Sequence, residues 1–261
     1  MILDDIVASK QREIARAKER LPEADLQRRV AGRRVERSFA QALREAEVRP
    51  ALIAELKRKS PSRGMLRERF DPPRLVQEFQ EAGASALSIL TDEPFFGGSL
   101  DILREAQAFS EVPIVRKDFI LEPYQIYEAL VAGADAILLI VRLLPPPQLS
   151  SLIALAHSFG MEPLVEVHSD EELDRALEAR AGIIGINHRD LGDFSMHPDL
   201  SARLVPRIPR SCVIVAESGI QTSNDVARLR DLGVHALLIG ESLMIAPDPA
   251  AKIRELFGGV W

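Results

Sequence analysis

The chain has 261 residues, 46% of them apolar and 28% charged, the balance of an ordinary globular protein rather than a disordered or disulfide-built one. Its 33 Lys and Arg against 39 Asp and Glu leave a net charge of -6, which argues against a general nucleic-acid surface, so any positive charge that matters is local. No apolar run approaches the roughly 20 residues of a membrane span, the acidic start Met-Ile-Leu-Asp-Asp is unlike a secretory signal, and Cys212, the single cysteine, reads as a buried core thiol suited to a reducing cytoplasm.

In chain order, Ile2, Ile6, Ile14 and Ala17 trace a broken helical stripe through a charge-rich segment. The basic stretch from Arg28 to Arg37 is expected to form a solvated helix face or loop. Ser38 then stands at the N-cap of a second, short helix. From Ala51 onward a regular beat begins, with apolar strands expected near 51–56, 85–90, 112–116, 135–140, 162–166, 183–187, 212–216 and 236–239. Their spacing of about 21 to 34 residues is that of a βα unit rather than a hairpin. The segments between them read as helices. Asp71-Pro72-Pro73 opens one with proline in its first turn, and Ser169 with Glu172 forms a capping-box pattern. Gly83, Gly133 and Gly233 each stand between a helical segment and a strand, where a left-handed residue stops the helix. Eight units without a flexible linker predict one α/β domain over residues 1–261, a single (β/α)8 TIM barrel over 49–261 behind a helical N-terminal extension over 1–48. A doubly wound open sheet fits less well, because no G-x-G-x-x-G follows the first strand.

In such a barrel the chemistry sits at the C-terminal ends of the strands. Glu55 and Lys57 end the first strand and, two residues apart, share a face. Alone they read equally well as a structural ion pair followed by a solvated basic turn. Other strands end in the same way: Thr91-Asp92-Glu93, Lys117-Asp118, Glu166, Asn187 with Arg189, Glu217-Ser218-Gly219 and Gly240-Glu241-Ser242, whereas Leu138-Leu-Ile140 stays apolar. So many charged groups around one mouth predict a functional site, with some of them serving only to hold the others. Gly219 and Gly240, at the ends of strands seven and eight, let backbone N–H groups approach an anion. Lys57 and Ser60 reach the same corner, because strand eight closes on strand one. Each glycine alone would equally suit a tight turn. The five histidines, His157, His168, His188, His197 and His235, lack metal-ligand spacing, so no metal site is expected and His235 reads as structural. Phe95-Phe96 fits core packing and an aromatic wall equally well.

Together these strand ends resemble the indole-3-glycerol phosphate synthase family of tryptophan biosynthesis. The resemblance runs from the N-terminal helices to about residue 248. It rests on Ile53-Ala-Glu55-Leu-Lys57-Arg-Lys-Ser60-Pro-Ser, Leu90-Thr-Asp-Glu-Pro-Phe-Phe96-Gly-Gly-Ser, Arg116-Lys117-Asp-Phe119-Ile, Leu164-Val-Glu166-Val-His, Gly185-Ile-Asn187-His-Arg189-Asp-Leu191, Ala216-Glu217-Ser218-Gly219-Ile and Ile239-Gly240-Glu-Ser-Leu-Met. It implies a (β/α)8 barrel whose extension helps cover the substrate. The implied activity is that of a carboxy-lyase closing the indole ring of 1-(2-carboxyphenylamino)-1-deoxyribulose 5-phosphate, giving indole-3-glycerol phosphate, CO2 and water with no cofactor or metal.

By the same resemblance Lys117 is the general acid, its pKa expected to be lowered by neighbouring positive charge. Glu166 handles protons in the dehydration, with Lys57 as a competing or cooperating acid. Glu55 and Asn187 orient substrate hydroxyls and Lys117, and Arg189 meets the substrate carboxylate or fixes glutamates. Phe96, Phe119 and Leu138 sandwich the aromatic ring. Lys57, Ser60, Gly219, Gly240 and the Glu241 backbone N–H hold the phosphate, with Glu217 and Ser218 completing the substrate-binding set. The implied partner is a small phosphorylated substrate, taken by a cytoplasmic monomer that could also meet other tryptophan-pathway enzymes; neither nucleic acid nor membrane is expected.

The sequence departs from the family pattern in three places. His188 replaces the usual Asn or Ser, although alternation turns it away from Asn187 and Arg189. Ile245 stands where an Arg is common. The loop from Leu191 to Pro198 lacks the Thr-Phe-x-Val/Ile-Asp pattern, so the resemblance does not set how it closes. A sugar-phosphate isomerase or epimerase would account for a phosphate corner and a carboxylate base, but not for two lysines beside an aromatic wall. A binding-only protein would have no need of acid and base together.

Overall fold

The computed structural model describes residues 2–258; Met1 and residues 259–261, which the domain expectation includes, and the Ile2 side chain of the expected stripe lie outside what is described. Three helices come first, α1 (Ile2–Arg20), α2 (Glu23–Val30) and α3 (Phe39–Arg44). The barrel strands are β1 (Ala51–Leu56), β2 (Ala86–Leu90), β3 (Ile114–Lys117), β4 (Ala136–Ile140), β5 (Glu162–Val167), β6 (Ile183–Asn187), β7 (Val213–Glu217) and β8 (Ala236–Ile239). Between and after them lie α4 (Pro72–Glu81), α5 (Glu93–Phe96), α6 (Leu100–Phe109), α7 (Pro123–Ala132), α8 (Pro146–Ser158), α9 (Asp170–Glu178), α10 (Leu200–Leu204), α11 (Ser223–Asp231), α12 (Glu241–Ile245) and α13 (Pro249–Phe257). The strands close in sequence order into a parallel barrel, β8 returning to β1 with Ala51 opposite Ala236 and Ala54 opposite Ile239. This is the expected (β/α)8 architecture, and closure removes the open-sheet alternative.

Local chemistry explains where the elements begin and end. Asp71 caps α4 by accepting the Arg74 N–H at 3.2 Å, and Gly83, Gly133 and Gly233 take the left-handed conformation at φ 86, 90 and 90. The Ser169 hydroxyl caps α9 by accepting the Glu172 N–H at 3.2 Å. Glu172 does not complete the box; its carboxylate turns to the His168 N–H at 2.8 Å. The basic stretch is the expected solvated helix face and loop at Arg28, Arg29, Arg33 and Arg34, which are exposed, the first two on α2. Arg37 differs and is a strut, pairing with Asp135 at 2.7 Å and donating to the Ser110 carbonyl at 2.8 Å.

Alternation along the strands divides the apolar residues into two cores. Leu52, Leu87, Ile137, Val165, Ile184, Ile214 and Leu237 point outward to the helices. Ala51, Ile53, Val115, Leu138, Leu164, Val213 and Leu238 fill the barrel. Phe39 and Leu43 of α3, both fully buried, join this inner core. They enter from the N-terminal end of the strands, because Ser38 and the Ala40 N–H both bond Glu162 at the start of β5, each at 2.9 Å. The helix α1 is fastened at the opposite end. Lys10, 1% exposed, reaches Asp118 at 2.8 Å beyond β3 and Asp92 at 3.1 Å beyond β2.

If α3 is a plug, Phe39→Ala leaves a cavity and lowers the unfolding free energy by about 3–5 kcal/mol. Urea denaturation measures this, and a loss within experimental error would mean that α3 merely rests on the barrel.

Candidate active site

A barrel core is filled in layers of four side chains contributed by alternate strands. Here the uppermost inward layer on the odd strands is Glu55 of β1, Lys117 of β3, Glu166 of β5 and Glu217 of β7, where apolar residues stand below. Burying three carboxylates together would be prohibitive without a countercharge. Lys117 supplies it, with Nζ 3.1 Å from Glu217, 3.5 Å from Glu166 and 4.0 Å from Glu55. Lys57 adds a second cation 2.6 Å from Glu55. Two glycines make the room: a Cβ on Gly185 would lie 2.3 Å from Glu217 Oε1, and one on Gly240 would lie 2.3 Å from Glu55 Oε1.

The pKa shifts follow from this crowding. Burial alone would push Lys117 down, but Glu217, Glu166 and Glu55 together hold it well above its ordinary value. This corrects the expectation that neighbouring positive charge lowers it; its neighbours are negative. Burial would raise Glu166, yet Lys117 and His168 hold it well below the usual carboxylate range. Lys57 and Lys117 likewise keep Glu55 ionised against its burial. Glu217 goes the other way, because burial and the charge on Glu166 outweigh Lys117. The layer therefore divides into ionised Glu55 and Glu166, a cationic Lys117 and a Glu217 that keeps its proton most readily. Both Glu217 oxygens and Glu166 Oε2 are buried without a hydrogen-bond partner in the chain.

This layer floors a cavity of about 850 Å³, and every residue singled out in the sequence as a site residue lines it. On one side stand Phe96 and Phe119, ring centroids 6.1 Å apart, with Leu138 below. Phe96 thus lines the cavity and, with Phe95, also packs against the inner core. On the other side are Lys57, Ser60, Gly219 and Gly240. Ser218 and Gly219 both adopt positive φ, 68 and 74. For a serine that conformation costs roughly 1–3 kcal/mol, and here it aims the Ser218 hydroxyl at Asn187 Oδ1, 2.7 Å away. The same Asn187 oxygen accepts the Arg189 N–H at 3.0 Å, so Asn187 braces the ends of β6 and β7 rather than Lys117.

Arg189 Nη2 lies 3.4 Å from Glu241, at the rim of the cavity. Glu241 is shared with Arg63 at 2.8 Å, so its side chain also enters the site. His188 turns away as alternation requires, with Nε2 2.7 Å from the Ser201 hydroxyl. Ile245 lies at the mouth, 50% exposed. Arg63, Leu191 and Phe194 also line the cavity and were not singled out from the sequence. Arg63 sits in the turn of a short hairpin, Lys59–Ser60 with Gly64–Met65, whose pairs are too few to leave a periodic signal. A signal for His168 did exist, since it is two residues beyond Glu166 and alternation places both on one face.

Fold and cavity together define a (β/α)8-barrel enzyme with an acid–base layer at the C-terminal ends of its strands. A model of the indole-3-glycerol phosphate synthase family matches residues 3–256. The chain is 46% identical to indole-3-glycerol phosphate synthase of Polaromonas naphthalenivorans, over 98% of both chains. It is 48% identical to that of Dehalococcoides mccartyi, over 98% of this chain and 100% of the other. The chain belongs to the indole-3-glycerol phosphate synthase family. More distant barrels share its fold alone. The tryptophan synthase α-subunit of Pyrococcus furiosus, in a mutant form, superposes with a TM-score of 0.61 at 18% identity over 80% of this chain and 98% of that one. For 3-hexulose-6-phosphate synthase of Salmonella typhimurium the figures are 0.64, 14%, 80% and 98%.

The electrostatic account has a consequence for stability. In Lys117→Met the carboxylates lose their countercharge and their folded pKa values rise. A raised carboxylate stabilises the fold only in its protonated form, below the unfolded value near 4.5, and loses that contribution as pH rises through the folded value. The stability gap between wild type and Lys117→Met therefore widens further as pH rises from about 4.5 toward about 8 in urea denaturation. A gap independent of pH would mean that Lys117 does not neutralise this layer.

Proposed function

We infer that the chain is an indole-3-glycerol phosphate synthase, converting 1-(2-carboxyphenylamino)-1-deoxyribulose 5-phosphate to indole-3-glycerol phosphate, CO2 and water. The observation that carries the assignment of roles is Lys117, an ammonium held among three carboxylates on the floor of a cavity with an aromatic wall on one side and a glycine-rich corner on the other.

Ring closure joins the aromatic carbon bearing the carboxylate to the ketone carbon, and negative charge develops on the ketone oxygen. Lys117 is charged at neutral pH and buried, so it donates to that oxygen as its basicity climbs past that of an amine. The ring then loses CO2, whose bonding electrons restore aromaticity. The last step breaks the C–O bond of the resulting tertiary alcohol and removes a proton from the carbon next to nitrogen. Glu166, held ionised, serves as the base for that proton, and Lys57 supplies a proton to the departing hydroxyl. Glu55 positions both lysines, lying 2.6 Å from Lys57 and 4.0 Å from Lys117. Glu217, whose oxygens make no hydrogen bond beside the ion pair with Lys117, is suited to substrate hydroxyls, alongside Ser218 and Asn187.

Phe96, Phe119 and Leu138 hold the aromatic ring, while Lys57, Ser60, Gly219, Gly240 and the Glu241 backbone hold the phosphate. Arg189 and Arg63, both paired with Glu241 at the mouth, are placed for the substrate's anionic groups. We further propose a cytoplasmic monomer forming one domain over residues 1–261, with residues 1–48 acting as the extension. Lys10 and α3, which tie that segment to opposite ends of the barrel, support the domain reading. Among the described residues no helix is long and apolar enough to cross a membrane.

Incubation with the carboxyphenylamino-deoxyribulose phosphate, followed by indole fluorescence, is expected to show product. None at high enzyme concentration would remove this reading. Lys117→Met is expected to lower kcat by about two to four orders of magnitude while substrate still binds. Normal turnover in that variant would overturn the acid assignment. Ser60→Ala is expected mainly to raise KM, and a loss confined to kcat would move Ser60 out of the phosphate corner.

A further inference from the structure

A row of alternating charges leaves the cavity at Glu166 and returns to it at the loop after β6. Lys117 faces one oxygen of Glu166, and His168 Nε2 lies 3.3 Å from the other. The opposite imidazole nitrogen, Nδ1, is 3.2 Å from Glu172 of α9. Glu172 in turn accepts from Arg142, just beyond β4, at 2.8 Å. Arg142 donates to both oxygens of Asp190, beyond β6, at 3.0 and 2.9 Å. Asp190 builds the loop: its carboxylate takes the Gly192 N–H at 2.6 Å, and its backbone bonds Ser195 and Phe194. Leu191 and Phe194 of this loop line the cavity that Glu166 floors.

The inner members of the row are sealed from water, Glu166 and His168 exposing only 1% and 2% of their side chains. A chain of this kind could simply brace β5 against α9. Its path argues for more, because it starts at Glu166 in the cavity and ends at Asp190, whose loop neighbours Leu191 and Phe194 line the same cavity. The Glu172 carboxylate is also withdrawn from its own helix cap in order to hold the imidazole and the backbone of His168.

We propose that His168 is a positioning residue for Glu166, and that Glu172, Arg142 and Asp190 carry its hold to the loop after β6, so that the base and the loop facing it are set together. The inference rests on the synthase reading. Charged groups face His168 from each element around it: Glu166 from β5, Glu172 from α9, and beyond them Arg142 and Asp190; Lys117 and Glu217 face Glu166 from the cavity. Burial would strip the imidazole of its charge, but the two glutamates push it up to about 9. At neutral pH it is an imidazolium, which keeps Glu166 ionised through the 3.3 Å ion pair.

The test is the pH dependence of His168→Gln. Loss of the neighbouring cation favours protonated Glu166, so the acid limb of kcat is expected to move up by about one pH unit, a tenfold change in that equilibrium. KM is expected to stay within about threefold. A fall in kcat with an unmoved acid limb, or a loss of thermal stability alone, would reduce His168 to a brace and overturn the proposal. Should His168→Gln not fold, Glu172→Gln keeps the imidazole but lowers its pKa, which NMR titration of labelled histidine reads; an unmoved His168 pKa overturns the proposal equally. For the loop, Asp190→Asn and the double variant His168→Gln/Asp190→Asn are compared: losses smaller than the product of the single effects support coupling, and strictly multiplicative losses exclude it. NMR titration of labelled histidine supplies a readout without turnover. His168 is expected to titrate near 9 in wild type and lower in Glu166→Gln. Absence of indole product would thus strike the synthase reading, whereas a His168 titrating at its ordinary value would strike this one.

Discussion

Three carboxylates share one layer of the barrel with a single ammonium, and the rest of the site follows from making that arrangement tolerable. Glu55, Glu166 and Glu217 are each 1–2% exposed, so water cannot neutralise them. Lys117 is central because it comes within 4.0 Å of all three. One cation still leaves the layer negative, and two further devices complete the balance. Lys57 attends to Glu55 from above, and Glu217 gives up its charge most readily because it lies beside ionised Glu166. Gly185 and Gly240 are the steric counterpart, since a methyl group at either would occupy the place of a carboxylate oxygen.

The same balance explains why the layer suits acid–base work. A lysine stabilised as an ammonium is a poor acid toward water but a ready donor to an alkoxide formed beside it, whose basicity is far higher. A glutamate held ionised is a weak base in the resting state. In the proposed reaction a weak base suffices, because the nitrogen and the departing hydroxyl make the reacting carbon's proton acidic. Preorganised charge of this kind costs folding energy in advance and needs little rearrangement at the moment of reaction. The strained Ser218 belongs to the same scheme, its left-handed backbone holding a hydroxyl against Asn187.

The fold was legible because a buried parallel strand leaves an apolar run, and a Gly such as Gly83 or Gly133 leaves a helix stop. The charged members of the layer were legible for a related reason: a glutamate such as Glu55 or Glu166 is conspicuous against apolar neighbours. Their mutual effect was not. That Lys117 has negative rather than positive neighbours depends on which alternate strands, two and four apart, meet inside a closed barrel, a relation that no local window contains. Arg37 shows the same limit, since its partner Asp135 lies 98 residues away. Arg63 was invisible for a different reason, sitting in a hairpin turn with neither periodicity nor a strand end to mark it.

The aromatic wall shows how far such non-local relations reach. Phe119 is set by Asp118, whose Oδ1 accepts its N–H at 2.8 Å. Phe96 lies on α5, whose start is capped by Asp92 accepting the Phe95 N–H at 2.9 Å. Both aspartates also meet Lys10 of α1, at 2.8 and 3.1 Å, and Asp118 is further held by Arg116 at 2.9 Å. One buried lysine from the N-terminal segment thus joins the supports of both rings. Removing it would leave Asp118 with Arg116 alone and deprive buried Asp92 of its Lys10 partner, a state that costs more than the loss of a surface ion pair. The segment before the barrel is therefore more than a cover laid over a finished cavity: the position of the aromatic wall and the docking of α1 are fixed by the same ion cluster, beside the charged layer at Lys117.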